Sequence, residues 1–345
     1  MLLRAAPSIG PDQLLLAALS LPLVSLALAA IIALGITVTP RWHARRQTRV
    51  RLGASAARGV AARHAPEHRV LGGSAIAVIV VFALENLLTG YVLNLNGVVS
   101  WWRYATPLAT AAAGLTVLLA LIVFRGSTPP ERPVVPTSRR TWLTFTPRVL
   151  SAGALTALLL LTLTTVGAGL ASSTIGDGPH VYLEIAIPNE TIDPIRPWFY
   201  GWAYGVPVLV CIALLVAVTV GALHANAARA FLRPETVVAE QRERRETAAG
   251  ITSIATAAAL LALAGAWRFI AESGSATGLT IQGDGRSDSY EAIWRYAELA
   301  AVGGWLAPAL EILALVLLLL VTAHLARGSR TAAPSETPAD LETAR

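Results

Sequence analysis

Residues 202–224 read WAYGVPVLVCIALLVAVTVGALH, and from Val206 to Leu223 the run holds no charged side chain. A helix that crosses the hydrocarbon core of a bilayer needs on the order of 20 apolar residues. This segment meets that length, and its Trp and Tyr lie together at one end, where amphipathic rings favour the headgroup level. Working outward, six more segments qualify, so the expected spans are about 13–37, 70–93, 105–124, 149–172, 199–224, 250–271 and 298–325. The expected fold is all-α, a polytopic transmembrane bundle of seven helices filling residues 1–328, followed by a disordered cytoplasmic tail over 329–345.

Composition supports lipid as the main solvent. Of 345 residues, 54% are hydrophobic and 14% charged, too little charge to cover a soluble globule of that size. All 27 basic residues are arginine. With abundant Ala, Leu and Val, this composition suggests a GC-rich bacterial genome. The absence of lysine excludes a retinal Schiff base and a Walker-type phosphate loop, both of which need its amine. Seven spans also describe microbial rhodopsins and receptors coupled to G proteins, but the first need lysine and no motif of the second is present. Cys211 is the single cysteine and sits in an apolar run, so it reads as a small core hydrophobe. No internal disulfide or Cys-x-x-Cys pair exists.

The arginines order the spans. Eight lie in segment 38–69, five in 125–148, five in 225–249 and three from 326 onward. The alternate side holds Arg4, Arg103, Arg196, Arg286 and Arg295, and Arg268 falls inside the sixth span. Cytoplasmic loops retain positive charge, so the N-terminus is expected outside and the C-terminus in the cytoplasm of a bacterial plasma membrane. Cleavage of the first span as a signal peptide would put Arg41, Arg45, Arg46, Arg49 and Arg51 outside, so it reads as an uncleaved anchor. The basic charge is thereby a matter of topology, and no nucleic-acid partner is expected.

An internal repeat divides the spans. Trp102-Arg103-Tyr104-Ala105 opens the third span, Trp202-Ala203-Tyr204-Gly205 opens the fifth, and Trp294-Arg295-Tyr296-Ala297 precedes the seventh. Pro107 and Pro207 follow at the same offset. Arg69-Val70-Leu71 and Arg148-Val149-Leu150 open the second and fourth spans. The pattern reads as one anchor helix plus three pseudo-repeated hairpins. An aromatic belt explains each tripeptide alone, while the set Trp102, Tyr104, Trp202, Tyr204, Trp294 and Tyr296 is a candidate outer aromatic surface. Parallel repeats occur in transporters, whose sites lie between repeat units near the midplane.

Ionisable groups in the bilayer are costly and therefore functional candidates. Glu311 lies halfway along the seventh span, Glu85 with Asn86 in the outer part of the second, and Arg268 near the outer end of the sixth. Counted along their helices, Glu85 and Arg268 reach similar depth, and an ion pair between them is expected. Glu311 then has no basic partner and either bonds a carbonyl or hydroxyl or lines a cavity. His224 and His324 close the fifth and seventh helices, where the helix dipole favours a cation; two histidines alone leave a haem or metal ligand set incomplete.

The outer segments carry short β signals: 181–187 alternates in polarity, and Leu279-Thr280-Ile281 precedes a Gly283-Asp284-Gly285 turn, so these two pieces are expected to pair. Asp284 and Asp288 have the spacing of alternate calcium ligands without the rest of a calcium loop. On the other side, 41–69 reads as a basic interfacial helix and 234–246 as a short surface helix able to meet a partner; 126–147 is rich in Pro. No His-Glu-x-x-His, Gly-x-Ser-x-Gly or intramembrane Ser and His pair is present, which disfavours an enzyme. No catalytic residue, cofactor or metal is assigned. The expected function is a non-enzymatic sensing, scaffolding or accessory membrane module with a membrane or cytoplasmic protein partner. The alternative is a small transporter or permease subunit with a midplane site near Glu311.

Overall fold

The computed structural model describes residues 22–39, 54–89, 98–125, 141–187, 193–275, 278–283 and 286–331. They form seven helices: α1 (Pro22–Val38), α2 (Ala54–Leu87), α3 (Thr106–Arg125), α4 (Arg148–Ala171), α5 (Trp202–Ala228), α6 (Val237–Gly274) and α7 (Ala297–Thr331). Six are long and apolar enough to cross a membrane, and α1, with 17 residues, is the shorter seventh. The chain is a multi-pass integral membrane protein. Its helices join two ends: one carries Trp102, Trp202 and Trp294, the tryptophan end, and the other carries the arginine-rich segments, the arginine end.

α6 stands at the centre and packs against α2, α3, α4, α5 and α7. Its residues from Ile251 to Ala264 are buried on every side. A helix that is apolar all round belongs in an interior, and the Ala-rich composition of this stretch lets five neighbours approach closely where lipid gives no hydrophobic push. The outer helices instead turn Val117, Phe124, Val149, Leu163 and Leu170 away from the protein. Such a girdle of exposed large apolar side chains suits lipid and not water.

Glycine sets several of the close approaches. Gly303 of α7 faces the Trp267 ring of α6, and Gly114 of α3 faces Ser74 of α2, each without room for a Cβ. A methyl group at Gly250 would meet Leu71 at 3.0 Å, which marks how near α2 and α6 run at the arginine end.

Three expectations are corrected. The two outer segments do not pair with each other: β1 (Ser172–Ser173) pairs with β2 (Tyr182–Leu183), and β3 (Gly278–Gly283) pairs with β4 (Arg286–Glu291), both antiparallel. Each strand meets a neighbour in its own loop, where closure costs least entropy. The isolated bridges Tyr182 to Trp198 and Ile185 to Ile195 fold the first loop back on itself. Segment 234–246 is not a separate surface helix, since a 3-10 turn at Pro234–Thr236 leads straight into α6. No Gly or Pro interrupts residues 237–249, and i to i+4 charge pairs carry the helix through them. Segment 54–69 likewise forms the start of α2 and is not a separate interfacial helix.

The tail expected from 329 begins as the last turn of α7. Residues 332–345, the expected basic stretch 40–53, the outer ends of the first and second spans at 13–21 and 90–93, most of the Pro-rich segment (126–140) and the turn residues Asp284 and Gly285 lie outside the described residues.

Candidate functional site

Near the tryptophan end, α2, α3, α6 and α7 separate enough to leave a cavity of about 270 Å³. Its lining gathers Glu85, Arg103, Arg268, Glu272 and Glu311 with Asn86. Leu261 and Ala262 mark its deep end, some three to four helical turns, or about 20 Å, from Gly274 at the end of α6. The four intramembrane candidates of the sequence therefore share one space.

Their pairing differs from the expected one. Nη2 of Arg268 donates to Oε2 of Glu311 at 2.6 Å, so Glu311 has a basic partner. The long Arg268 side chain reaches from an outer position on α6 to a carboxylate set deeper on α7, a reach that counting along helix axes misses. Glu85 instead accepts a hydrogen bond from the Thr106 hydroxyl of α3 at 3.3 Å, and the Asn86 amide donates to the Phe82 carbonyl one turn back at 2.8 Å.

Glu311 is 1% exposed. The hydroxyl of Ser25 on α1, also fully buried, lies beside its carboxyl group as a hydrogen-bonding neighbour. The deepest carboxylate of the site is thus held by one guanidinium and one hydroxyl.

The repeated aromatic motif splits. Tyr104 is buried and meets Tyr204 edge-on at 5.5 Å, Tyr200 at 5.2 Å and Phe269 in a stack at 6.0 Å. Tyr104, Tyr204 and Phe269 also line the cavity. Trp102 and Tyr296 are exposed, Trp202 covers Gly169, and Trp294 covers Gly274 and packs on Phe199. Two motif tyrosines converge while the three tryptophans disperse. Phe269, Tyr200 and Trp198 complete this wall without belonging to the repeat. The Ser273 hydroxyl fixes Trp198 by donating to its carbonyl.

A second polar cluster, which the sequence did not single out, lies at the arginine end. Glu67 of α2 receives Arg229 at 2.7 Å and His64 at 3.3 Å, and Arg229 also donates to the Ile122 carbonyl at the end of α3. Arg244, 2% exposed, donates to the carbonyls of Arg229 and Ala230 at 2.7 and 2.9 Å, pairs with Glu240 at 3.5 Å and lies over Phe231. It ties the start of α6 to the end of α5. Asn226 donates back to the Arg244 carbonyl at 2.9 Å.

Beside these, His68 Nε2 lies 2.9 Å from Glu243. Both precede the apolar parts of α2 and α6. Burial disfavours the charged imidazole, yet the hydrogen bond and charge of Glu243, with Glu246 and Glu67 beyond it, outweigh that and hold the His68 pKa above its ordinary value. Burial likewise pushes the Glu243 carboxyl up, and its bond to His68 more than reverses this, leaving it below the usual range. Charged residues within a topogenic arginine-rich segment give no sign in sequence that they pair across 175 positions.

His224 is exposed near the end of α5, and the side chain of His324 lies outside the described residues, as does Asp284 of the calcium spacing. Cys211 is half-buried on α5. No protein-family model, curated protein or solved structure matches this chain.

Proposed function

We propose that this chain is a small-solute transporter or permease subunit whose binding site is the cavity between α2, α3, α6 and α7. The observation that carries this reading is the deep end of that cavity, where a buried Glu311 carboxylate lines the space and pairs with Arg268 beside the Ser25 hydroxyl. Its lining holds three carboxylates, Glu85, Glu272 and Glu311, against two guanidiniums, Arg103 and Arg268. A space lined by three carboxyl groups and a tyrosine wall suits a small cation that carries N–H donors, which the rings of Tyr104 and Tyr204 also favour. The cavity is below the usual volume of roughly 300 to 1,000 Å³ for drug-sized ligands, so the solute has few heavy atoms.

The arginine distribution supports an orientation with the tryptophan end, and the cavity, outside the cell. A division into three hairpins draws support from the packing of α2 on α3 and of α6 on α7, while α4 packs more on α6 and α5 more on α3 than on each other; the cavity takes its lining from all three hairpins, with Tyr204 contributed by α5. Towards the arginine end, the filled stretch of α6 from Ile251 to Leu260 closes the path, which suits an outward-facing state in this mechanism. A second reading, a sensing or accessory module that binds the same solute without passing it, draws on that filled stretch.

The test uses methylammonium and guanidinium as probes on the full chain. Binding is read from intrinsic tryptophan fluorescence, with Trp198 in the lining as the reporter, and passage from uptake of labelled methylammonium into proteoliposomes. Saturable binding lost in Glu311→Gln, together with uptake, supports transport. Binding without uptake selects the sensing reading, and absence of saturable binding overturns both.

A further inference from the structure

At the arginine end, His68 of α2 and Glu243 and Glu246 of α6 bring their donor atoms within 4.8 Å of one another. Two helices that enter the membrane side by side supply them. Glu243 and Glu246 are three residues apart and share a face of α6, while His68 comes from the facing turn of α2. A His68 to Glu243 hydrogen bond at 2.9 Å satisfies that pair alone; it does not require Glu246 to converge on the same point.

From this convergence we propose a divalent transition-metal site formed by His68, Glu243 and Glu246, separate from the solute cavity. One imidazole nitrogen with two carboxylates suits a zinc-class ion, including Co²⁺ or Mn²⁺, better than calcium or magnesium, which favour all-oxygen shells. Donors at about 2.0 to 2.2 Å from zinc stand roughly 3.4 Å apart in a tetrahedron. Separations within 4.8 Å therefore close by small side-chain rotations. The three donors leave a fourth position for water.

The surrounding charges fit. Arg242 pairs with Glu246 at 3.2 Å and neutralises one carboxylate, while Glu67 is committed to Arg229 and His64. Two carboxylates, only one of them paired with a guanidinium, converge there with the imidazole, an arrangement that attracts a divalent cation. The ion would clamp α2 to α6 at the arginine end, next to the Arg229 to Glu67 bridge that already joins α5 to α2.

Full-length protein in detergent, stripped with EDTA, is titrated with Zn²⁺ alone by calorimetry, and retained metal is measured after gel filtration. About one equivalent is expected for a site with three protein donors. His68→Gln and Glu246→Gln should each weaken binding at least tenfold, while His224→Gln, outside the cluster, should leave it unchanged. Glu246 is partly exposed, so its substitution leaves the fold intact and keeps the test decisive if His68→Gln does not express. No binding above that of the His68→Gln/Glu246→Gln double variant, or equal affinity in the wild type and Glu246→Gln, overturns the proposal.

Discussion

Arg268 on α6 and Glu311 on α7 meet at 2.6 Å although they are 43 positions apart, and the carboxylate is buried while the arginine side chain is 31% exposed. The pair joins the central helix to the last one at the level of the cavity. It is also the point where packing would compete with the proposed solute.

Removing either partner should destabilise the fold. Glu311→Gln or Arg268→Gln is expected to cost about 2 to 3 kcal/mol, below the roughly 3 to 5 kcal/mol for a fully buried pair because Arg268 is partly solvated. The double replacement Glu311→Leu/Arg268→Met should recover most of that stability yet bind no methylammonium. Thermal unfolding in detergent checks the first statement and fluorescence titration the second; a double variant as unstable as the worse single one refutes the pairing.

Gly303→Ala should be among the most damaging single-methyl additions in α7. The new Cβ would occupy the Trp267 ring, and overpacking of this kind costs about 1 to 3 kcal/mol. Gly153→Ala on α4 adds the same methyl group into open space and should leave the melting temperature unchanged or raised. Equal melting temperatures for the two variants would contradict the close approach of α6 and α7.

Arg244→Met should lower expression and stability more than any other arginine substitution in 229–249. It removes the counter-charge of the buried Glu240, which keeps only the hydrogen bonds from the Thr236 hydroxyl and the Leu232 N–H, and frees two carbonyls after α5, a loss of about 3 kcal/mol. Arg244→Lys should not rescue, because an ammonium cannot reproduce the planar fork that reaches both carbonyls. Rescue by lysine, read as monodisperse protein on gel filtration, would show that charge alone suffices.

Orientation is read by labelling intact cells with a membrane-impermeant maleimide in a Cys211→Ser background. Arg103→Cys should react at once and Arg245→Cys only after permeabilisation, since both side chains are exposed at opposite ends. The reverse pattern would place the cavity in the cytoplasm.

What was legible in the sequence followed from length and polarity. Apolar runs of membrane length located the helices, and Glu85, Asn86, Arg268 and Glu311 were singled out because burial makes ionised groups expensive; all four line one cavity. Their pairing was not legible, because an arginine side chain spans more than a helical turn and depth counted along an axis ignores that reach. Nor were the α2 and α6 extensions: their charges, among them Glu67, His68, Glu240 and Arg244, pattern like solvated residues until partners from other helices are known. The outer strands failed for a simpler reason, since β propensity names a strand but not its neighbour.

The enclosure of α6 also bears on how the protein is made. While 297–331 is still being synthesised, one flank of α6 and the guanidinium of Arg268 lack the helix that will cover them. Insertion of the earlier helices therefore leaves a half-finished molecule in which Arg268 still lacks its Glu311 contact, and the arrival of α7 completes both the packing of α6 and that ion pair.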